Sequence, residues 1–498
     1  MPEIVPDLAG FRAAAAAGAR VVSVRARLQA DGLTAVGLYH HLCQTRPGTF
    51  LLESAAGGVQ SRWSFIGVRA LATLSERQGQ AVWTGRPLAG LPEVADPLQA
   101  LDTALALLHT DPEPQLPPLA SGFVGYLGYD LVRRLERLPD SCTDDLQVPE
   151  LTMLLVGELA ALDHHTGEVW LIANAVNFDA TGERLEQAYA DAVSRVEGLL
   201  AALAEPAPPL LAEVTDAQEP ELVRQRSSDE FQQVVRDCIA EVQAGEVFQV
   251  VPSQRFEVPT EADPLDVYRV LRRGNPSPYM FLLRLDGFSV VGASPEALVT
   301  VRDQEVVIHP IAGTRPRGET LEQDAALEAE LLADEKEAAE HLMLVDLGRN
   351  DVGRVSVPGT VTVREFMRVR RYSHVMHLEA EVAGRLAPGR SALEATLAGF
   401  PAGTLSGAPK VRALQIIDQV EQTRRGVYGG AVGYLDLAGN ADTAIAIRTA
   451  LIKDHVAYVQ AGAGVVADSD PASEDTETVS KAAAVVRAVR SADRLRRV

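Results

Sequence analysis

Two pairs of glutamates stand out as groups that could do chemistry. In ADEKEAAEHLMLVDLGRND (333–351), Glu337 and Glu340 are three residues apart, and in DSDPASEDTETVSKAAAVV (468–486), Glu474 and Glu477 repeat that spacing with Lys481 one turn further on. On a helix, residues three apart share a face. Either pair alone reads as a solvated helix surface, whereas two pairs brought face to face could hold a hard divalent cation. Magnesium suits such a set better than calcium, because it takes one or two carboxylates and keeps water and substrate oxygens as its other ligands.

Glycine-built turns follow apolar runs at GTRPRG (313–318), TLSGAPKVRA (404–413) and QAGAGVVADS (460–469), where backbone N–H groups can converge on oxyanions. Arg448, in the strand-like AIAIRTALI, offers a fork for a carboxylate. None of these is a nucleotide site: GTLSGAPK lacks the Walker A spacing, and no GxGxxG opens a βαβ unit. A small dicarboxylic acid fits better than ATP or NAD. Lysine usage narrows the search. Of 46 basic residues only Lys336, Lys410, Lys453 and Lys481 are lysine. Arginine serves elsewhere as the generic cation, so a lysine kept inside a motif reads as needed for its compact, flexible ammonium.

The elements that position these groups follow from periodicity. Leu342, Leu344, Val345 and Leu347 give the first acidic segment an apolar side, so it reads as a helix. Ser227 and Glu230 form a capping box ahead of a helix with apolar Phe231, Val234, Val235, Ile239 and Val242, and VFQVVPSQRFEV (247–258) reads as a strand. The proline-rich, acidic EPAPPLLAEVTDAQEPE breaks the pattern, dividing the chain into an N-terminal α+β domain (1–204), a linker (205–224) and a second domain (225–492). GFVGYLGYD (122–130) is echoed by GGAVGYLD (429–436), either an internal repeat or two similar edge turns.

Composition bounds the function classes. A chain of 498 residues with 47% hydrophobic and 23% charged content is expected to fold as more than one core. Its formal net charge of −22 argues against nucleic acid as a partner. Cys43, Cys142 and Cys238 are far apart with no CxxC spacing, which fits reduced thiols and a cytoplasmic location. No apolar stretch approaches the roughly 20 residues a membrane helix needs, and the N-terminus lacks a basic start, so neither membrane nor secretion is expected.

Five phrases in fixed order, PIAGTRPRG, EHLMLVDLGRND, RYSHVMHLEAEV, GTLSGAPKVRA and GAGVVADSDP…ETVSKA, resemble the chorismate-utilising enzymes, and within them the anthranilate synthase component I family. LLES (51–54), GFVGYLGYDLVR and NPSPYMF (275–281) add to the likeness. The resemblance implies a large α+β chorismate-binding fold, with antiparallel β-sheets flanked by helices, and an N-terminal regulatory α+β domain. It implies Glu340 and Glu477 as magnesium ligands, with Glu337 and Glu474 supporting them. Gly313, Thr314, Tyr428, Arg448, the Gly462-Ala463-Gly464 turn and Lys481 match substrate-binding positions. Glu296, in GASPEALV, matches the general acid for the departing hydroxyl; His377 matches a proton-transfer histidine, and Thr404 joins them as a catalytic position.

The reaction so implied adds ammonia to chorismate, expels the 4-hydroxyl and then eliminates pyruvate to give anthranilate, in tryptophan biosynthesis. Related enzymes of the para-aminobenzoate branch carry a lysine where this chain has Ala312. Isochorismate and salicylate synthases use a lysine to activate water where this chain has Gln249. Both absences favour direct ammonia attack. No segment resembles a glutaminase, so a separate glutamine amidotransferase subunit is expected, in a heterotetramer of two large and two small subunits. Ser54, Pro278, Tyr279 and Met280 match a tryptophan effector pocket; Glu53 or Ser54 would meet the amino group, and Arg62 is the only base just after them. A non-catalytic amino-acid sensor would tolerate loss of the carboxylates, and all four are present.

Overall fold

The computed structural model describes residues 2–55, 62–85, 91, 94–177, 181–215, 221–371 and 375–497. Among them, 21 strands join in one sheet. Every strand pairing within it is antiparallel, and helices cover its faces, the architecture the sequence pointed to.

Strands from the two sides of residues 205–224 interleave in this sheet. Thr49–Glu53 lies between Trp63–Arg77 and Tyr279–Arg284, with Met280 opposite Glu53. The two glycine–aromatic phrases are each other's partners: Gly122–Leu127 pairs with Ala431–Asp436, Gly125 facing Gly433. Glycine is required at this crossing, since a Cβ on Gly125 would strike the Thr152 carbonyl and one on Gly433 that of Asp442. Leu151–Asp163 and Glu168–Val176 form a hairpin, and a 3-10 segment, Tyr129–Arg134, precedes it.

The Ser227–Glu230 capping box forms as expected, and Phe231, Val234 and Val235 bury the face of the helix Ser228–Gln243. Residues 247–258 split into two short strands, Gln249–Val250 and Ser253–Pro259. The three cysteines are free and buried, and burial pushes each thiol up to about 12. No helix among the described residues is long and apolar enough to cross a membrane.

Candidate active site

Both glutamate pairs occupy the first two turns of a helix. Asp334 caps Glu335–Gly353 by accepting from the N–H groups of Lys336 (3.1 Å) and Glu337 (3.2 Å). Asp470 caps Pro471–Asp493 by accepting from Ser473 N–H at 2.9 Å. The positive end of each helix offsets the repulsion inside each pair. Leu344 and Val345 are buried as the apolar period required; Leu342 is 54% exposed and does not belong to that face.

The electrostatics link the two helices. Burial, then the nearby Glu340 and Asp334, raises the Glu337 carboxyl above the usual range. Burial and Glu477 raise that of Glu474, against the pull of Ser469, Lys481 and Lys336. Lys336 comes from the opposite helix, so the acidic ends face one another. Gln249 Nε2 donates to Glu340 Oε1 at 3.1 Å, and Lys481 Nζ reaches Glu477 Oε1 at 2.5 Å and the Gly462 carbonyl at 3.1 Å. Among the described residues no three His, Cys, Asp or Glu groups converge on one point. The all-oxygen donors nevertheless fit magnesium, which needs only one or two carboxylates; Glu340 and Glu477, one from each helix, would hold it.

The segment read as a turn, GTRPRG, begins as a strand: Ile311–Pro316 pairs with Val375–Arg385, and its register slips between Ala312 and Thr314. Gly313 makes that bulge at φ +63°, a conformation that costs glycine least. Arg315 and Arg317 are not free to hold an anion. Arg315 pairs with Glu330 and Asp334, both at 2.8 Å, and lies 3.6 Å from Glu337; Arg317 pairs with Asp324 at 2.8 Å. The bulge instead exposes the Gly313 carbonyl, which accepts from His377 Nδ1 at 3.1 Å, with Thr314 Oγ1 3.0 Å from the same nitrogen. A carbonyl only accepts, which assigns the proton to Nδ1 and makes Nε2 the basic nitrogen. Burial lowers the His377 pKa, keeping the ring neutral. Tyr372, Ser373 and His374 of the same phrase lie outside the described residues.

Glu296 follows the strand Phe288–Ser294. Burial pushes its carboxyl up to about 7, against a 3.1 Å hydrogen bond from Thr404 Oγ1 and the charge of Lys481. A carboxylic acid is thereby held near neutrality as a proton donor. Arg448 lies between two strands rather than within one, at φ +51°. Its Nη1 donates to the Lys481 carbonyl at 2.6 Å.

The glycines of 462–464 serve close approach. A Cβ on Gly462 would come within 3.0 Å of the Tyr428 hydroxyl, and one on Gly464 within 2.5 Å of Gln249 Nε2. Ala463 N–H donates to the Pro252 carbonyl, so it does not point at an anion.

Two networks went unread in the sequence. Arg425, 3% exposed, binds Glu421 and the Leu405 and Val251 carbonyls, with the Tyr129 ring 4.4 Å and the Tyr428 ring 5.6 Å from its guanidinium carbon. The i, i+4 spacing of EQTRR was its signal. Lys410 meets the buried Asp351 at 2.9 Å, a partner the scarcity of lysine did not reveal.

Ser54, Pro278, Tyr279 and Met280 meet at the seam between Thr49–Glu53 and Tyr279–Arg284, where Ala55 N–H donates to the Ser277 carbonyl. Ser54 Oγ is buried without a protein hydrogen bond there, whereas Met280 is 1% exposed in an apolar core. Glu53 does not wait for an amino group: Tyr268 Oη (2.5 Å) and Arg272 Nε (3.0 Å) bind its carboxylate. Arg62 is forked onto Asp163.

The facing acidic helix ends, the raised carboxyl of Glu296 and the half-buried Arg448 make up one candidate site. Residues 47–487, which contain all of it, match the chorismate binding enzyme family. The chain belongs to that family. Among chorismate-binding relatives it is 56% identical, over 96% of its length and 95% of theirs, to anthranilate synthase component 1 of Mycobacterium bovis. It is 52% identical over 99% of its length to that of Arthrobacter globiformis, 95% of which is covered. The crystal structure of anthranilate synthase component I from Streptococcus pneumoniae TIGR4 superposes with a TM-score of 0.77 at 34% identity, covering 86% of this chain and 93% of that one. The chain is thus similar over nearly its whole length to proteins named anthranilate synthase component 1.

Proposed function

We propose that this chain converts chorismate and ammonia to anthranilate and pyruvate as the large component of an anthranilate synthase. The observation that carries the reading is identity over nearly the whole chain to relatives of that name. The buried Ala312, 7% exposed, and Gln249 beside Glu340 support it over the para-aminobenzoate and isochorismate alternatives, since neither side chain can act as nucleophile or base.

In this reading Arg448 and Lys481 receive the substrate's carboxylates, and Tyr428 and the Gly313–Thr314 bulge bound its ring. Magnesium, when bound by Glu340 and Glu477 with Glu337 and Glu474 behind them, neutralises part of the dianion's charge. Glu296 donates its proton to the 4-hydroxyl as ammonia adds to the ring carbon beside the carboxylate-bearing one, so the oxygen leaves as water. Neutral His377 then handles the ring proton as pyruvate is lost. The ammonia comes from glutamine through a separate amidotransferase subunit, in an assembly of two large and two small subunits. Tryptophan inhibits by binding beside Ser54, Pro278 and Tyr279. The test is the product formed by the purified chain from chorismate, magnesium and an ammonium salt. Anthranilate with equimolar pyruvate is expected; aminodeoxychorismate, isochorismate or salicylate would replace this reading.

A further inference from the structure

Glu296 lines a cavity of about 40 Å³. Glu296, Thr404 and Asp351 all line it, together with apolar Leu298 and Leu347 and with Gly348. Gly313, Tyr428, Arg448 and Lys481 take no part in its walls. A water needs roughly 10–15 Å³ of such space and two to four polar partners, so this cavity has room for two or three waters with two carboxylates in its wall.

Asp351 is 5% exposed, and its Oδ2 binds Lys410 Nζ at 2.9 Å; the Lys410 side chain, 13% exposed, reaches the surface. The charged groups facing Asp351 are Lys410, from the helix Lys410–Val420, and Arg354, from its own helix. Lys481 is the charged group that acts on Glu296, which also accepts a hydrogen bond from the neutral Thr404, and His309 stands in the cavity wall with Glu379 at 3.5 Å. As a mere clamp between helices, this pair would gain little over apolar side chains of similar volume, because burying two charges costs about what their attraction returns.

We infer that Asp351 and Lys410 return to Glu296, through water in this cavity, the proton it gives to the leaving hydroxyl. The inference rests on Glu296 being the acid of the proposed reaction. The steps balance. The Glu296 O–H bond breaks and its proton leaves with the hydroxyl oxygen as water. A cavity water then protonates the carboxylate and takes a proton from the Lys410 ammonium by way of Asp351. The neutral amine recovers a proton from solvent. Asp351 acts through Glu296 and is a positioning residue.

The test compares the full-length wild type with Asp351→Asn and Gly348→Ala, assayed with chorismate, magnesium and ammonium salt at fixed free ammonia. Asparagine keeps the shape of Asp351 but cannot take up and release a proton. Alanine at 348 narrows the cavity while its Cβ meets Pro310 at 3.4 Å, Val382 at 3.6 Å and Ile308 at 3.9 Å, ordinary van der Waals contacts, so that variant folds. For Asp351→Asn, kcat should fall at least about tenfold at unchanged chorismate KM, within the range of a lost proton-transfer contribution. Its remaining rate should rise with imidazole buffer concentration, which a structural lesion would not produce. Gly348→Ala should lose kcat several-fold at unchanged melting temperature. Full-rate, buffer-independent variants would overturn the relay alone, and so would full rate in Gly348→Ala if Asp351→Asn does not fold. A wild type making no anthranilate would overturn the reaction itself.

Discussion

Thr404→Val isolates what sets the acidity of Glu296. The hydroxyl donates to the carboxylate at 3.1 Å and works against the burial that lifts this carboxyl to about 7. A hydrogen bond to a charged group contributes about 1.5–3 kcal/mol, and one pKa unit corresponds to about 1.36 kcal/mol. The protonated acid also uses the hydroxyl in part, so the differential loss is nearer one unit, upward. The acid form is the active one, hence activity falls as pH rises through this pKa, and the alkaline limb should move from near 7 to near 8. At pH 8 the wild type would hold about a tenth of its acid form and the variant about half. The assay is anthranilate fluorescence at low chorismate, where kcat/KM reports the free enzyme, with total ammonium adjusted to hold free ammonia constant between pH 6 and 10. A lower plateau would only say that the hydroxyl also touches substrate. A limb that stays in place, or moves down, would refute the account of Glu296.

Glu340→Ala or Glu477→Ala should abolish turnover and leave the melting temperature unchanged, because both carboxylates face the site rather than a core; normal activity in either would end the ligand assignment. Gly313→Ala should cost about 1–3 kcal/mol in denaturant unfolding, since the residue has φ +63° and its Cβ would lie 2.8 Å from Leu331, and chorismate KM should rise with it. Glutamine alone should give no product with the purified chain while ammonium salts do, and glutamine-dependent turnover without an added subunit would contradict the expected partner. Ser54→Phe should relieve tryptophan inhibition, checked by titrating tryptophan into both proteins; equal inhibition of the two removes the effector reading and leaves the chemistry intact.

Local signals carried the framework. The glutamate pairs and the Ser227 capping box were legible because helix periodicity and capping act within a few residues. The Gly313 bulge was not, because a glycine at positive φ inside a strand leaves the same trace as a turn. Arg315 and Arg317 bind acidic partners 7 to 22 residues further on, beyond the reach of a local pattern. Glu53 with Arg272, and Asp351 with Lys410, pair across distances that no periodicity reports. The raised pKa of Glu296 comes from burial, which the tertiary fold creates.

The pairing of Gly122–Leu127 with Ala431–Asp436 bears on how the chain is made. The earlier strand leaves the ribosome roughly 300 residues before its neighbour, and at usual synthesis rates waits tens of seconds with one edge unsatisfied. Thr49–Glu53 waits likewise for Tyr279–Arg284. A nascent N-terminal half is therefore a set of open strand edges, prone to sticking to other chains, and depends on protection until the last quarter arrives. Expressed alone, either half should aggregate. Produced together in one cell, the two could still zip into a working enzyme, because what joins them is a ladder of backbone hydrogen bonds that needs no covalent link.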